Sequence, residues 1–90
     1  MDFYRVQDIC KKYGGQARAR STVYMDRAEG LLPEPVKLGA RAVGFPAHEV
    51  DQVMEARAAG ATAEQIKALV KRLMAQRTKR LAELLSVKGA

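Results

Sequence analysis

The sequence predicts a mostly α-helical fold with a short β-hairpin wing, that is, a winged helix-turn-helix module followed by a C-terminal helix. Three observations predict it. Two short helical segments flank a glycine-containing turn, an alternating hairpin pattern follows a proline-rich segment, and a long helical stripe of apolar residues comes last. We expect residues 1–60 to form the winged helix-turn-helix domain and residues 61–90 a basic, amphipathic C-terminal helix.

The first two helices are predicted at residues 7–13 and 21–29. Apolar residues recur at helical spacing in the first segment, and the two glycines that follow it suit a C-cap and a tight turn. Ser21 and Thr22 can cap the start of the second helix, which stops at Gly30. A helix-turn-helix is therefore expected in the first third of the chain.

The wing is predicted between residues 36 and 45. Two prolines in the segment 32–35 force an extended path and exclude a helix there. Apolar and other residues then alternate over 36–38 and again over 43–45, with a turn between them that contains Gly39. We expect the apolar side chains of both arms to pack onto the helices.

Two further helices are predicted, at residues 47–59 and from Thr62 to about Ser86. Thr62 and Gln65 have the spacing of a capping box, in which each side chain bonds the other residue's amide. A helix of about 24 residues would be about 36 Å long, which is more than one small domain needs to cover its core. Its second half is therefore expected to have another role.

The chain is strongly basic and carries no obvious membrane segment. Sixteen Lys and Arg residues against ten Asp and Glu give a net charge of +6, which suits a polyanionic partner such as the phosphate backbone of DNA. No apolar run is long enough to span a bilayer, and the first residues lack the pattern of a signal peptide. We expect a cytoplasmic protein with no membrane partner.

Residue types that carry chemistry are scarce. The single cysteine, Cys10, lies in a helical pattern and is expected to be a small buried apolar residue. The single histidine, His48, lies at a predicted helix start among acidic residues and is expected to be solvated. One Cys and one His do not make a zinc site within a chain, so we expect no metal, no cofactor and no enzymatic activity.

Basic residues are concentrated in two clusters without intervening acids. The first consists of Lys11, Lys12, Arg18 and Arg20, and its place at the helix-turn-helix favours phosphate contact. The second, on the last helix, is more typical of a solvated face. It consists of Lys67, Lys71, Arg72, Arg77, Lys79 and Arg80.

Four segments carry a family resemblance, namely Ser-Thr-Val-Tyr at 21–24, Glu-Gly-Leu-Leu-Pro at 29–33, Pro-Val-Lys-Leu-Gly-Ala-Arg-Ala-Val at 35–43 and Glu-Val-Asp at 49–51. Together they resemble the AlpA family of phage-type regulators. The third segment is the most specific, because it joins the end of the second helix to the wing at fixed spacing. The resemblance covers about residues 4–77 and implies a MerR-like winged helix-turn-helix fold, which excisionase-like members also have.

The resemblance implies that the second helix enters the major groove of double-stranded DNA and that Arg41 brings the wing to the backbone or the minor groove. Together with the basic charge, it gives a set of candidate DNA-contacting residues. These are Arg18, Arg20, Ser21, Thr22, Tyr24, Arg27, Lys37 and Arg41.

Two positions depart from the family pattern. The turn from Gly14 to Ala19 is longer than the usual tight turn, and Asp26-Arg27 occupies a stretch where one residue is commonly apolar. Arg27 is expected either to lie over the core or to reach DNA.

The function implied is sequence-specific DNA binding by a transcriptional regulator of a phage or integrated element. The alternative is an excision factor that bends DNA and recruits an integrase, whereas a regulator would act on RNA polymerase. Two other hypotheses are a protein-interaction adaptor without DNA binding and a sequence-independent DNA coat.

The long last helix suggests a homodimer or a higher oligomer on DNA, because its apolar stripe exceeds what one domain can bury. The expected dimer contact consists of Leu73, Leu81, Leu84 and Leu85. The alternative is that this helix clamps the domain of its own chain.

Overall fold

The structure, a computed structural model, describes residues 2–12 and 17–86, apart from the side chains of residues 17–19. The predicted fold class is confirmed, since the described chain is mostly helical and contains a small antiparallel sheet. In chain order the elements are β1 (Phe3–Tyr4), α1 (Val6–Lys12), α2 (Ala17–Ala28), β2 (Val36–Lys37), β3 (Val43–Pro46), α3 (Ala47–Ala58) and α4 (Ala63–Leu85).

The sheet has three strands rather than the two of the predicted hairpin. Its order is β1-β3-β2, and both neighbouring pairs are antiparallel, with Tyr4 opposite Phe45 and Lys37 opposite Val43. Strand β1 was not predicted, because two residues are too few to show an alternating pattern. Its pairing fixes the start of the chain to the base of the wing.

Helix α2, the second helix of the predicted helix-turn-helix, begins four residues before the predicted start. Residues Ala17 to Arg20 are helical, so the prediction that Ser21 and Thr22 cap the helix is wrong. Alanine and arginine are among the strongest helix formers, and this propensity extends the helix toward α1. Residues 17–19, which the sequence assigned to a long turn from Gly14 to Ala19, are therefore helical, and the remainder of that predicted turn lies outside the described residues.

One hydrophobic core joins the helix-turn-helix to α3 and to the first half of α4. The isobutyl group of Leu73 is fully enclosed in it, at 1 % exposure. Burying such a side chain contributes about 1.5 to 3 kcal/mol. The buried apolar residues are Ile9, Val23, Leu32, Phe45, Val50, Val53, Ile66, Val70 and Leu73.

The wing contributes less to the core than its pattern predicted. Phe45 is buried, whereas Leu38 and Val43 are about half exposed. Phe45 lies on the part of β3 that pairs with β1, and Val43 lies beyond it, opposite Lys37. The expectation that both arms pack onto the helices therefore holds for the base of the wing and is wrong for its outer part.

Helices α3 and α4 begin and end close to where the sequence predicts. Gly60 has a φ of +93°, the left-handed conformation that favours glycine after a helix. The capping box is formed, with the Gln65 amide donating to Thr62 Oγ1 at 3.1 Å and the Thr62 amide donating to Gln65 Oε1 at 2.8 Å. Within the described residues, none of the helices is long and apolar enough to cross a membrane.

Candidate nucleic-acid interface

Helix α2 exposes polar side chains around the residue that anchors it. Val23 is buried in the core, whereas Arg20, Ser21 and Tyr24 are exposed, Tyr24 to 50 %. Arg20 and Tyr24 are four residues apart and lie on one side of the helix. The helix therefore presents a cation, a hydroxyl and a phenol to solvent over little more than one turn.

Thr22 and Arg18 complete the candidates near the start of α2. Thr22 is exposed and lies on the flank of the helix away from Arg20, since two residues correspond to about 200° of rotation. The side chain of Arg18 lies outside the described residues. The start of α2 at Ala17 places both positions inside the helix and not in the turn before it.

Arg27 pairs with an acid of its own chain. Its Nη2 lies 3.2 Å from Oε1 of Glu34, in the proline-rich segment that leads to the wing, and both side chains are substantially exposed. The pair joins the end of α2 to the base of the wing. Any DNA contact by Arg27 competes with Glu34.

The polar residue Asp26 has a structural role. Its carboxylate lies 3.2 Å from Nη2 of Arg57 on α3, and only 14 % of the Asp26 side chain is exposed. The acid at position 26 is therefore explained by an ion pair that fixes α2 against α3.

The wing carries two exposed basic residues. The Leu38 amide donates to the Ala42 carbonyl at 2.8 Å and closes the turn. Lys37 lies on β2, Arg41 lies in the turn, and both are exposed. Neither forms an ion pair with another residue of the described chain, so both side chains can meet an external anion.

The first basic cluster is divided by the fold. Lys11 is exposed at the end of α1. Lys12, in contrast, lies 3.6 Å from Oδ1 of Asp51 and 4.7 Å from the ring centroid of Tyr4, and the Tyr4 hydroxyl donates to Asp51 at 2.8 Å. Lys12 is thus engaged in joining α1, β1 and α3.

The residues of the second basic cluster also differ in their surroundings. Lys67 and Arg80 form exposed ion pairs with acids of their own helix, at 3.9 and 3.6 Å, as expected of a solvated face. Arg77 does not belong with them, because it pairs with the buried Glu49 of α3 and donates to the Glu34 carbonyl at 2.8 Å. The sequence interpretation missed this role. The available signal was a charged residue within an otherwise apolar helical stripe.

The four leucines proposed for a dimer contact do not lie together. Leu73 is enclosed in the core of its own chain, because the first half of α4 packs on α3. Leu81 and Leu84 are each 55 % exposed and Leu85 is 75 % exposed. Of the four, Leu81, Leu84 and Leu85 are therefore placed to contact another molecule.

Cys10 and His48 lie on different helices, α1 and α3. Cys10 is partly buried and packs against the core, so it is less enclosed than expected, and His48 is exposed at the start of α3. Over residues 2–12 and 17–86, no group of three or more His, Cys, Asp or Glu side chains could hold a metal ion.

The comparisons with known proteins identify a family for this part of the chain. A family model described as "Prophage CP4-57 regulatory protein (AlpA)" matches residues 5–58, which span the helix-turn-helix, the wing and α3. No curated protein and no solved structure gives a significant match. Since the matched residues make up more than half of the chain, the protein belongs to the AlpA family of phage regulatory proteins.

Proposed function

We propose that this AlpA-family protein is a sequence-specific regulator of transcription that binds double-stranded DNA through α2 and the wing. The observation that carries the proposal is the exposed face of α2, with Arg20, Ser21 and Tyr24 directed to solvent. The major groove is about 12 Å wide and admits one α-helix. A net charge of +6 favours approach to the phosphate backbone.

On α2, the exposed side chains suit different parts of the DNA. The guanidinium of Arg20 can donate two hydrogen bonds to O6 and N7 of a guanine or to a phosphate, and the hydroxyl of Ser21 can bond either base edges or phosphates. The Tyr24 phenol reaches farther and suits a phosphate oxygen. Arg18 and Thr22 remain candidates on sequence grounds, on the flank of α2 away from Arg20.

On the wing, Arg41 and Lys37 suit the sugar-phosphate backbone. Both are exposed, and neither pairs with an acid in the described part of the chain. The planar guanidinium of Arg41 can take two phosphate oxygens, and a narrow minor groove attracts its charge. We assign Arg41 the larger contribution, because it lies in the turn of the hairpin.

The test is binding of the wild-type protein to the DNA upstream of its own gene and to a scrambled duplex, at two salt concentrations. We expect the native duplex to bind at least about a hundredfold more tightly, since specific ratios are typically about 10³ or above. Arg41→Ala should weaken binding. It should also reduce the slope of log K against log salt concentration by the amount that corresponds to about one phosphate contact.

The matched control is Lys67→Ala, which also removes one positive charge but from a side chain paired with Glu64 on α4. It should change binding much less than Arg41→Ala. Equal, weak binding of both duplexes would contradict the proposal and favour the coating or adaptor hypothesis.

Regulation is proposed in preference to excision because the matched family is described as regulatory. A regulator would occlude or recruit RNA polymerase on the bound DNA, whereas an excision factor would bend the DNA and recruit an integrase. Electrophoresis of duplexes with the site at different positions measures the bend. A strong bend together with integrase recruitment would favour excision.

A further inference from the structure

An open, mostly apolar groove of about 360 Å³ lies between the sheet and α4. Phe3, Val36 and Pro46 line it from the sheet, and Leu73, Gln76 and Arg80 line it from α4. A water molecule takes up about 30 Å³ in the liquid. The groove therefore has room for many waters, and equally for more than one aliphatic side chain.

The second half of α4 carries apolar side chains that nothing in the described chain covers. All residues from Thr78 to Ser86 are exposed, including Leu81, Leu84 and Leu85. Leu81 and Leu84 continue the helical face on which Leu73 and Arg77 lie, since they follow at spacings of four and seven residues from Arg77. The groove and the exposed leucines therefore adjoin on one side of α4.

The leucines of one chain cannot fill the groove of the same chain. Helix α4 is continuous from Ala63 to Leu85. Leu81 and Leu84 therefore lie about 12 and 16 Å beyond Leu73 along its axis. A straight helix does not fold back on itself, so any helix that fills the groove comes from another molecule.

We propose that the groove and the leucines form the two halves of a self-complementary contact between two copies of this chain. The α4 helices would run antiparallel and cross near residues 79 and 80, with Leu81 and Leu84 of each copy lying in the groove of the other. A two-fold axis makes this exchange reciprocal, so that both apolar surfaces are covered at once.

The charges of the two surfaces are complementary. The last turn of α4 contains Glu83 and no basic residue, and the C-terminus of a helix carries partial negative charge. The lining of the groove carries Arg80, whose pair with Glu83 of its own helix is exposed, and His48, whereas Arg77 and Glu49 in the same lining pair with each other. The negative end of one copy's helix would therefore meet Arg80 at the groove of the other.

The contact involves few side chains, so we expect a weak dimer in the absence of DNA. Two adjacent half-sites on DNA would strengthen it by raising the effective concentration. The dimer contact uses none of the residues proposed to touch DNA, and it can be measured without DNA. Failure of either proposal therefore leaves the other testable.

The experiment is sedimentation equilibrium of the whole chain without DNA, combined with NMR spectra over a dilution series. We expect a monomer–dimer equilibrium, and on dilution the signals of Leu84, Phe3 and Val36 should shift together. Signals of Met25, on α2, should not move. The sheet signals are decisive, because a contact between α4 helices alone would leave Phe3 and Val36 unchanged.

The variant that tests the leucines is Leu84→Ser, and it should weaken dimerisation about tenfold or more and abolish the dilution shifts of Phe3 and Val36. The matched control is Val43→Ser, which removes a similarly exposed apolar side chain on the wing and should leave dimerisation unchanged. Circular dichroism would show that both variants keep their helices.

The antiparallel crossing is tested with single cysteines in a Cys10→Ser background. Arg80→Cys should form a disulfide between copies, because it lies near the axis on the face toward the groove. Its neighbour Lys79→Cys, rotated by about 100° away from that face, should not. A monomeric wild type at high concentration, or dilution shifts confined to α4, would overturn the proposal.

Discussion

Arg77 on α4 forms an ion pair with Glu49 on α3, and both Nε and Nη2 of the guanidinium donate to the carboxylate. The side chain of Glu49 is 5 % exposed and that of Arg77 is 25 % exposed. Nη2 also donates to the carbonyl of Glu34, before β2, at 2.8 Å. A single cation thus fixes α4 to the start of α3 and to the base of the wing.

Replacing Arg77 by alanine should be strongly destabilising, because it leaves the buried carboxylate of Glu49 without a cation. Removing one partner of a buried pair costs about 3 to 5 kcal/mol, and small domains have only about 5 to 15 kcal/mol in total. Urea unfolding followed by circular dichroism measures the change in the free energy of unfolding.

The matched control is Arg80→Ala, three residues along the same helix. Its ion pair with Glu83 is exposed on both sides, at 69 % and 54 %, and should contribute less than about 1 kcal/mol. Arg77→Lys should rescue only part of the loss. The ammonium group of lysine lacks the planar guanidinium that donates to the Glu49 carboxylate and to the Glu34 carbonyl at the same time. Equal effects at positions 77 and 80 would refute the assigned role of Arg77.

Replacing Glu34 by glutamine should increase DNA affinity a few-fold. The change removes the acid that pairs with Arg27 and lets this arginine contact a phosphate. Stability should change by less than about 1 kcal/mol, because the pair is exposed. Fluorescence anisotropy on the same duplex at two salt concentrations measures affinity and the number of phosphate contacts.

In an Arg27→Ala background the same Glu34→Gln change should have little effect on DNA affinity. If the increase persists there, it comes from general loss of negative charge and not from release of Arg27.

Replacing Gly44 by alanine should destabilise the wing. A Cβ at this position would lie 2.9 Å from Leu38 Cδ1 and 3.0 Å from Phe3 Cβ. Leu38 has a flexible end that can move, whereas Phe3 is held by its pairing in β1. We expect a cost of about 1 to 3 kcal/mol, as for other overpacked sites, measured by thermal unfolding.

Gly39→Ala is the control for this prediction, because no heavy atom lies within 4 Å of its added Cβ. It should unfold at nearly the wild-type temperature. A Gly44→Ala variant as stable as Gly39→Ala would show that β1 does not lie against Gly44 as described.

Replacing Thr62 by alanine should shorten or fray the start of α4. The change removes the acceptor for the Gln65 amide, and loss of an N-cap side chain typically costs about 1 kcal/mol. Thr78→Ala is the control, since the Thr78 hydroxyl only bonds the Met74 carbonyl within the helix. Chemical denaturation should distinguish the two variants, and equal stability would argue against the capping box.

How much the sequence could predict depends on the range of the interaction. The capping box at Thr62 and Gln65, the end of α3 before Gly60 and the hairpin all depend on residues within a few positions of one another. These were predicted correctly. The start of α2 was misplaced, because Ser21 and Thr22 satisfy the local rule for a cap while the helix propensity of residues 17–20 outweighs it.

The approximate helical and hairpin segments, the basic charge and the resemblance to the AlpA family follow from the sequence alone, because all of these are local or compositional. Which side chains meet depends instead on packing between distant segments: Arg77 pairs with Glu49, Arg27 pairs with Glu34, and Leu73 is core while Leu84 is exposed. Leu73 and Leu84 share one helical stripe, and periodicity cannot distinguish them. What distinguishes them is the packing of α3 against only the first half of α4, a contact between segments distant in the chain.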